Sequence, residues 1–186
     1  DSDGPPRRGA EMGRVTERDG KAIAREVPGV GAVAPQMRGS AQLVVGGRNA
    51  NTQMTGATPE YGIVSNVSAA EGRFISDSDV SSAARVVAMG QTVVDKLFPD
   101  GDAVGQSVRI NRVPFTVIGI LESKGSNLGN DNDDVIIVPL STLRQRLSTQ
   151  ANAGPDDVSL LFISFEDEEA LLAGQREIKK LMRARY

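Results

Sequence analysis

Arg85-Val-Val-Ala-Met-Gly-Gln-Thr-Val-Val-Asp-Lys-Leu-Phe-Pro-Asp-Gly-Asp-Ala-Val-Gly-Gln-Ser-Val-Arg-Ile110 opens a stretch that continues through Val113-Pro-Phe-Thr-Val-Ile-Gly-Ile-Leu121 and ends with Asp133-Asp-Val-Ile-Ile-Val-Pro-Leu140. The β-branched run Arg85–Met89 reads as a buried strand, and Gly90 breaks it. Gln91–Phe98 has helical spacing, with Val94, Leu97 and Phe98 inward. Pro99-Asp-Gly101 is a turn. Gln106–Ile110 and Val113–Leu121 form a hairpin around Asn111-Arg112, and Val108 and Ile110 alternate with Ser107 and Arg109 as in a half-exposed strand. Gly119 marks a bulge or a close backbone approach. Val135–Val138 is another buried strand.

Outward from this stretch the signals become local. Residues 1–15 are polar, with Gly, Pro and Arg, and read as a tail without a strand. Thr16-Glu-Arg-Asp19 has the spacing of a capping box, and Ala22, Ile23 and Val27 share one face, which predicts a helix over Glu17–Glu26. Pro28-Gly29 ends it. Val30 to Pro35 leads into a strand at Gly39–Val45, followed by a turn at Gly46–Asn51 and a second strand at Thr52–Thr58. Pro59–Gly62 is turn-like, Ile63–Ala69 is a short strand, Glu71–Phe74 is a turn and Asp77–Asp79 is a polar loop. Past Leu140, Ser141 or Thr142 caps a helix carrying Leu143 and Leu147, and Thr149–Asp157 is a linker. A strand, Val158–Phe165, precedes a last helix capped by Asp167. That helix has Glu168 and Glu169 in its first turn and Lys179, Lys180, Arg183 and Arg185 near its end, as the macrodipole favours. Leu171, Gln175, Ile178 and Met182 form its stripe, widened by Leu172 and Leu181. The pattern is α+β in two lobes.

Composition removes several chemistries. With 186 residues the chain can bury a real core as one domain or two small ones. It contains no cysteine and no histidine, so disulfides, thiolate nucleophiles, the usual zinc sets and Ser-His-Asp triads are absent. Aromatics are 4% and the net charge is −3, which offers neither a base-stacking platform nor a pull toward nucleic acid. No apolar run reaches the ~20 residues that span a bilayer, and the chain opens on no signal peptide. Glu122–Asp134 is the most polar stretch. Its Asp131, Asp133 and Asp134 miss the EF-hand spacing, because the fifth and sixth positions would be Val135 and Ile136. The expectation there is a mobile, solvent-facing loop over Lys124–Asp134. Asp77 and Asp79 are spaced for acid–base or cation chemistry, but more simply for capping their own backbone. A metal-dependent enzyme using these five aspartates and a free-standing small-ligand-binding domain are the alternatives to the reading that follows.

Several ordered pieces carry a resemblance. They are Ala22-Ile23…Val27-Pro-Gly-Val30…Val33-Ala-Pro35, Gly56-Ala-Thr-Pro-Glu-Tyr61, Glu71-Gly-Arg-Phe74, Val87-Ala-Met-Gly90, Leu97-Phe98, Asp102-Ala-Val-Gly-Gln106, Phe115-Thr-Val-Ile-Gly119 and Val138-Pro-Leu140. Together they resemble the periplasmic core domain of MacB-type ABC transporter permeases, the group that shares its membrane topology with FtsX and LolC. The resemblance implies a porter-like α/β lobe from both chain ends, residues 1–64 and 141–186, and a smaller, mainly-β insertion at 65–140. It implies a non-catalytic domain between two membrane helices, on the periplasmic or extracellular side of the cytoplasmic membrane. No cofactor is expected in this chain; ATP and Mg would belong to the full transporter. The implied partners are a periplasmic adaptor (membrane fusion) protein, an outer-membrane channel and a second permease subunit in a homodimer. Asn127, Leu128 and Asn130 are the candidate partner contacts, and Lys179, Lys180, Arg183 and Arg185 the candidate membrane-facing groups. The strand with which the family begins is not apparent in residues 1–15.

Overall fold

The computed structural model describes residues 9–12, 15–127, 130–147, 157–158 and 160–186. In chain order the elements are β1 (Gly9–Met12), β2 (Val15–Thr16), α1 (Glu17–Glu26), β3 (Val30–Val45), β4 (Arg48–Ala57), α2 (Pro59–Val64), β5 (Ala69–Gly72), α3 (Asp77–Ser81), β6 (Val86–Met89), α4 (Gln91–Leu97), β7 (Ser107–Ile110) and β8 (Val113–Leu121). They continue with β9 (Ser126–Asn127), β10 (Asn130–Asp131), β11 (Val135–Pro139), α5 (Leu140–Thr142) with a wider helical turn at Leu143–Leu147, β12 (Asp157–Val158), β13 (Leu160–Phe165) and α6 (Glu168–Arg185). The class is α+β, as expected.

One strand holds the architecture together. β3 has 16 residues and at ~3.3 Å per residue spans roughly 50 Å. Its first half pairs antiparallel with β13, and its second half, from Met37, pairs with β4. The main sheet runs β1-β13-β3-β4-β11-β6-β8-β5. β7 pairs with both β3 and β8, so the strands from β3 round to β8 close on themselves. The ladder between β4 and β11 therefore joins residues 48–57 to the end of the stretch expected as an insertion.

Alternation along the strands sorts side chains between two faces. Ala41 and Leu43 of β3 and Ala50 and Met54 of β4 point into one core, which also holds Val87, Phe115, Val117, Ile136 and Val138. α4 seats Val93, Val94 and Leu97 there, while Ile23 of α1 and Ile178 of α6 extend the same core toward the chain ends. A smaller cluster lies apart: Ala57, Ile75, Ala88, Leu121 and Ile137, with Tyr61 and Phe74 against it. In β11 and β6, successive residues thus alternate between the two clusters, as strands covered on both faces do.

Several expectations hold. α1 spans Glu17–Glu26, and its capping box is complete: Asp19 N donates to Thr16 Oγ1 (3.1 Å) and Thr16 N to Asp19 Oδ2 (3.0 Å). Asp167 caps α6 by accepting from Ala170 N at 2.7 Å. Asn111 and Arg112 both have positive φ, 47° and 74°, the geometry that tight hairpins favour. Gly119 is a close approach, because a Cβ there would lie 2.2 Å from the Arg73 carbonyl oxygen.

Others are corrected. The presumed tail contains β1, which pairs with β13 from Gly9↔Ser164 to Met12↔Leu161. The turn after β3 is only Gly46-Gly47, and β4 starts at Arg48 rather than Thr52. Pro59–Val64 is a helix and not a turn followed by a strand, because Pro59 at its first position is pre-set for helical φ. Asp77–Ser81 is likewise helical, capped by Ser76. Ser141 and Thr142 do not cap α5; their hydroxyls donate to the carbonyls of Val80 and Ala84, which dock α3 and the turn after it. The presumed strand Val158–Phe165 is divided between β12, which pairs with β2, and β13. The linker residues 149–156 lie outside the described residues.

Candidate functional site

The outward side chains of β3 and β4 are polar. Gln36, Arg38, Ser40 and Gln42 alternate with core residues on one strand, and Asn51, Gln53 and Thr55 on the other. They floor an open cleft of about 1220 Å³. Tyr61 and Ser65 after β4, Leu160 and Phe162 of β13, and residues of the 122–134 stretch form its walls.

That stretch is built around one carboxylate. Asp133 is 8% exposed and accepts from Lys124 N (2.7 Å), Ser123 Oγ (2.8 Å) and Gly125 N (3.0 Å). Burial pushes its carboxyl up, but these donors outweigh burial and hold it below the ordinary value. Its own N–H donates to Asp131 Oδ1 (2.9 Å), and Asp131 Oδ2 accepts from Thr92 Oγ1 (2.7 Å). Asp134 Oδ1 accepts from Thr52 Oγ1 (2.7 Å), with Lys96 Nζ 3.9 Å from its other oxygen. Lys124 Nζ donates to the carbonyls of Asn66 (2.6 Å) and Ser65 (3.1 Å). Over its described residues, the stretch expected as a mobile loop thus carries a buried polar centre and a short ladder between β9 and β10.

Two further aspartates are buried. Asp79 pairs with Arg73 through two bonds (2.6 and 3.2 Å) and accepts from Ser76 N (2.9 Å), closing the cap of α3. This is the capping role that Asp77-Ser-Asp79 suggested. Burial raises its carboxyl, and Arg73 and Ser76 more than offset that. Asp19, fully buried, accepts from Arg185 Nε (2.8 Å) and from the Tyr186 hydroxyl (2.9 and 3.1 Å). Burial alone would raise its carboxyl; the Thr16 amide, Arg185 and Tyr186 bring it below the ordinary value. The last turn of α6 is thereby fixed to the first turn of α1.

The acidic residues weighed as a metal site do not converge: among the described residues no three Asp or Glu side chains form a metal-sized group. Of the candidate membrane-facing groups, Lys179, Lys180 and Arg183 are exposed, and Arg185 is engaged with Asp19. Asn127 and Asn130 are paired residues in the backbone ladder of β9 and β10, and Leu128 lies outside the described residues. Sequence reading missed the amide-bearing cleft and the Asp19 junction. The first had a signal in the even-numbered polar residues of β3. The second joins positions 166 apart and had none.

The description "MacB-like periplasmic core domain" belongs to a family model that matches residues 2–181. The chain belongs to this family. Macrolide export ATP-binding/permease protein MacB of Syntrophobacter fumaroxidans is 34% identical over 178 residues, covering 94% of this chain and 25% of that protein. Its namesake from Rhodospirillum rubrum is 35% identical over 175 residues, covering 92% and 26%. This MacB-like domain spans about a quarter of the length of the curated relatives it matches. Solved structures that share its fold include two from transporters. The extracellular domain of the noncanonic ABC-type transporter YknZ from Gram-positive bacteria superposes with a TM-score of 0.78 at 21% identity, over 92% of this chain and 84% of that one. The periplasmic region of MacB from Actinobacillus actinomycetemcomitans gives 0.77 at 19% identity, over 93% and 75%. Among the described residues of this MacB-like domain, no helix is long and apolar enough to cross a membrane.

Proposed function

We propose that this MacB-like domain passes ATP-driven movement of a transporter permease to the extrusion of cargo, and that it engages an adaptor protein in doing so. The observation that carries the reading is the junction at Asp19. α6 has 18 residues and is therefore about 27 Å long. Its far end is held by Arg185 and Tyr186 on a buried carboxylate, and α1 lies on the sheet where Gly20 faces Leu161 and Val33. Arg144 Nη2 adds a second tie to α1 through Glu17 (3.1 Å). A push on the end of α6 then shifts α1 and the sheet together instead of fraying the helix.

In this reading the domain sits on the periplasmic or extracellular side of the cytoplasmic membrane, non-catalytic in itself. Its two lobes are 1–64 with 141–186 and 65–140, sharing the long strand β3. The partners are a periplasmic adaptor, an outer-membrane channel and a second permease subunit. Asn127, Leu128 and Asn130 belong to the adaptor contact. Lys179, Lys180 and Arg183 face anionic headgroups, each contributing about 1 kcal/mol near the surface, with Arg185 held at Asp19. ATP and Mg act in another part of the transporter. This chain lacks the Gly-x-x-x-x-Gly-Lys-Ser/Thr phosphate loop, and its Gly46-Gly47 joins two strands where a phosphate loop would open a helix. The relatives' names suggest macrolides as the cargo class.

The test is made in the full-length permease with its adaptor, reconstituted in vesicles. Asp19→Asn and Asp19→Ala are expected to leave ATP hydrolysis running while cargo exported per ATP falls. Spin labels at Val15 and Met182 report whether the junction has opened. Unchanged export with an opened junction would sink the coupling role. Co-purification that survives alanine at Asn127, Leu128 and Asn130 would remove the adaptor contact from that loop.

A further inference from the structure

The coupling role leaves the cleft on the outer face of β3 and β4 unused, and its chemistry is selective. The charged groups around it are largely satisfied within the chain. Asp133 has three donors, Asp131 bonds Thr92, Asp134 bonds Thr52, and Lys124 is held by two carbonyls. Arg38 on the floor and Glu122 on the wall are exposed charged groups of the cleft. The groups left open are neutral: no hydrogen bond from the side-chain amides of Gln36, Gln42, Asn51 and Gln53 is found among the described residues. Gln36, 3% exposed, lines the cleft floor opposite Leu160.

Each amide presents two N–H donors and one acceptor oxygen. A row of them matches a ligand whose groups both donate and accept, without net charge. Hydroxyls are such groups. Tyr61 and Phe162 add rings to the walls, and ring surface suits the C–H faces of a sugar. Other occupants fit less well. An apolar body would leave the floor amides unsatisfied. An extended peptide finds little free backbone: β4 is paired on both edges, and Asn111 bonds β3 at Ser40 and Gln42. We propose that the cleft between β3, β4 and the 122–134 stretch binds a neutral, hydroxyl-rich ligand of the saccharide class, with the Gln36, Asn51 and Gln53 amides as its hydrogen-bonding floor. This inference does not depend on the coupling role.

The test uses this chain, labelled for NMR and titrated with chitotriose, maltotriose and methyl glucoside up to about 10 mM, the range of weak binding. At least one trisaccharide is expected to shift the Gln36, Asn51 and Gln53 side-chain amides in a saturable way. Gln36→Leu should weaken that binding roughly tenfold or more. Gln53→Ala, at an exposed position, should do likewise, and it keeps the test decisive if Gln36→Leu disturbs the sheet. Trisaccharide binding without methyl glucoside binding points to an oligosaccharide; equal binding of both points to a single sugar appendage on a larger molecule. No shifts with any sugar, or shifts that both variants retain, overturn the proposal. So does a serine- and asparagine-rich peptide that binds the cleft where the sugars do not.

Discussion

Asp19→Ala removes a fully buried carboxylate that accepts from Thr16 N, Arg185 Nε and the Tyr186 hydroxyl at 2.8–3.1 Å. Breaking a buried ion pair from one side costs about 3–5 kcal/mol. Here the discount is substantial, because the Arg185 side chain is 33% exposed and can rehydrate, as can the exposed Tyr186. The expectation is therefore about 2–3 kcal/mol, which for a chain of this size lowers Tm by roughly 4–12 °C. Arg185→Ala should cost about 1–3 kcal/mol by the opposite route, since it leaves the carboxylate buried with fewer donors. The two variants share one interaction, so a double-mutant cycle should return a coupling of about 1–2 kcal/mol. Urea unfolding followed by circular dichroism gives the free energies, and hydrogen exchange at the last turn of α6 shows where the loss falls. An Asp19→Ala variant within about 0.5 kcal/mol of the parent, or a cycle with no coupling, would refute the junction as a tie between α1 and α6.

Gly90→Ala should destabilise by at least about 2 kcal/mol in thermal unfolding, because its Cβ would lie 2.1 Å from the Asp133 carbonyl oxygen and both partners are backbone; a neutral result would mean that α4 and β11 are further apart. Asp133→Asn should speed hydrogen exchange at Lys124 and Gly125 about tenfold or more, with little change elsewhere, since it weakens acceptors for those two amides. The pH dependence has a definite sign. Asp19, Asp79 and Asp133 have folded values below their unfolded ones, so their contribution is fully present above the unfolded value near 3.9 and is lost as pH falls through the folded values. With no histidine in the chain, the loss should sit below about pH 4. Asp79→Asn should flatten the acid limb of stability against pH, and an unchanged limb would count against the Arg73 pair.

What the sequence revealed and what it hid divide along physical lines. α1 was legible to the residue because its capping box is a local code in which Thr16 and Asp19 satisfy each other's backbone. The β7–β8 hairpin was legible because alternation and the Asn111-Arg112 turn agree. β1 was not, because Gly9-Ala-Glu-Met12 has little strand character of its own and is a strand through its pairing with β13. α2 was misread because Pro59 signals a turn and a helix start equally. The hydroxyls of Ser141 and Thr142 looked like caps and instead bond carbonyls about 60 positions away, at Val80 and Ala84. Of the candidate site, the acidic residues drew notice by their charge, yet the structure makes Asp79 and Asp133 internal struts. The uncharged amides of β3 and β4 drew none, because a polar strand face looks the same whether it meets bulk water or a cleft.

The two faces of the sheet carry different burdens, and the difference bears on how such a domain could work. The inner face is one continuous apolar cluster that takes in Ile23 of α1, Ile178 of α6, Leu43 of β3 and Phe115 of β8. Packed cores of this kind shift as units and deform little. A displacement introduced at the Asp19 junction would therefore reach the closed part of the sheet through β3 with little loss along the way. The outer face has no such continuity. Its apolar cluster is small, and beside it the sheet is bare and lined with amides. Around Gln42 and Gln53 the side chains alternate between exposed and buried, so a change at either position leaves Leu43 and Met54 in the core. A stiff frame with an interchangeable polar face suits a part that must transmit motion in one direction while meeting molecules on the other.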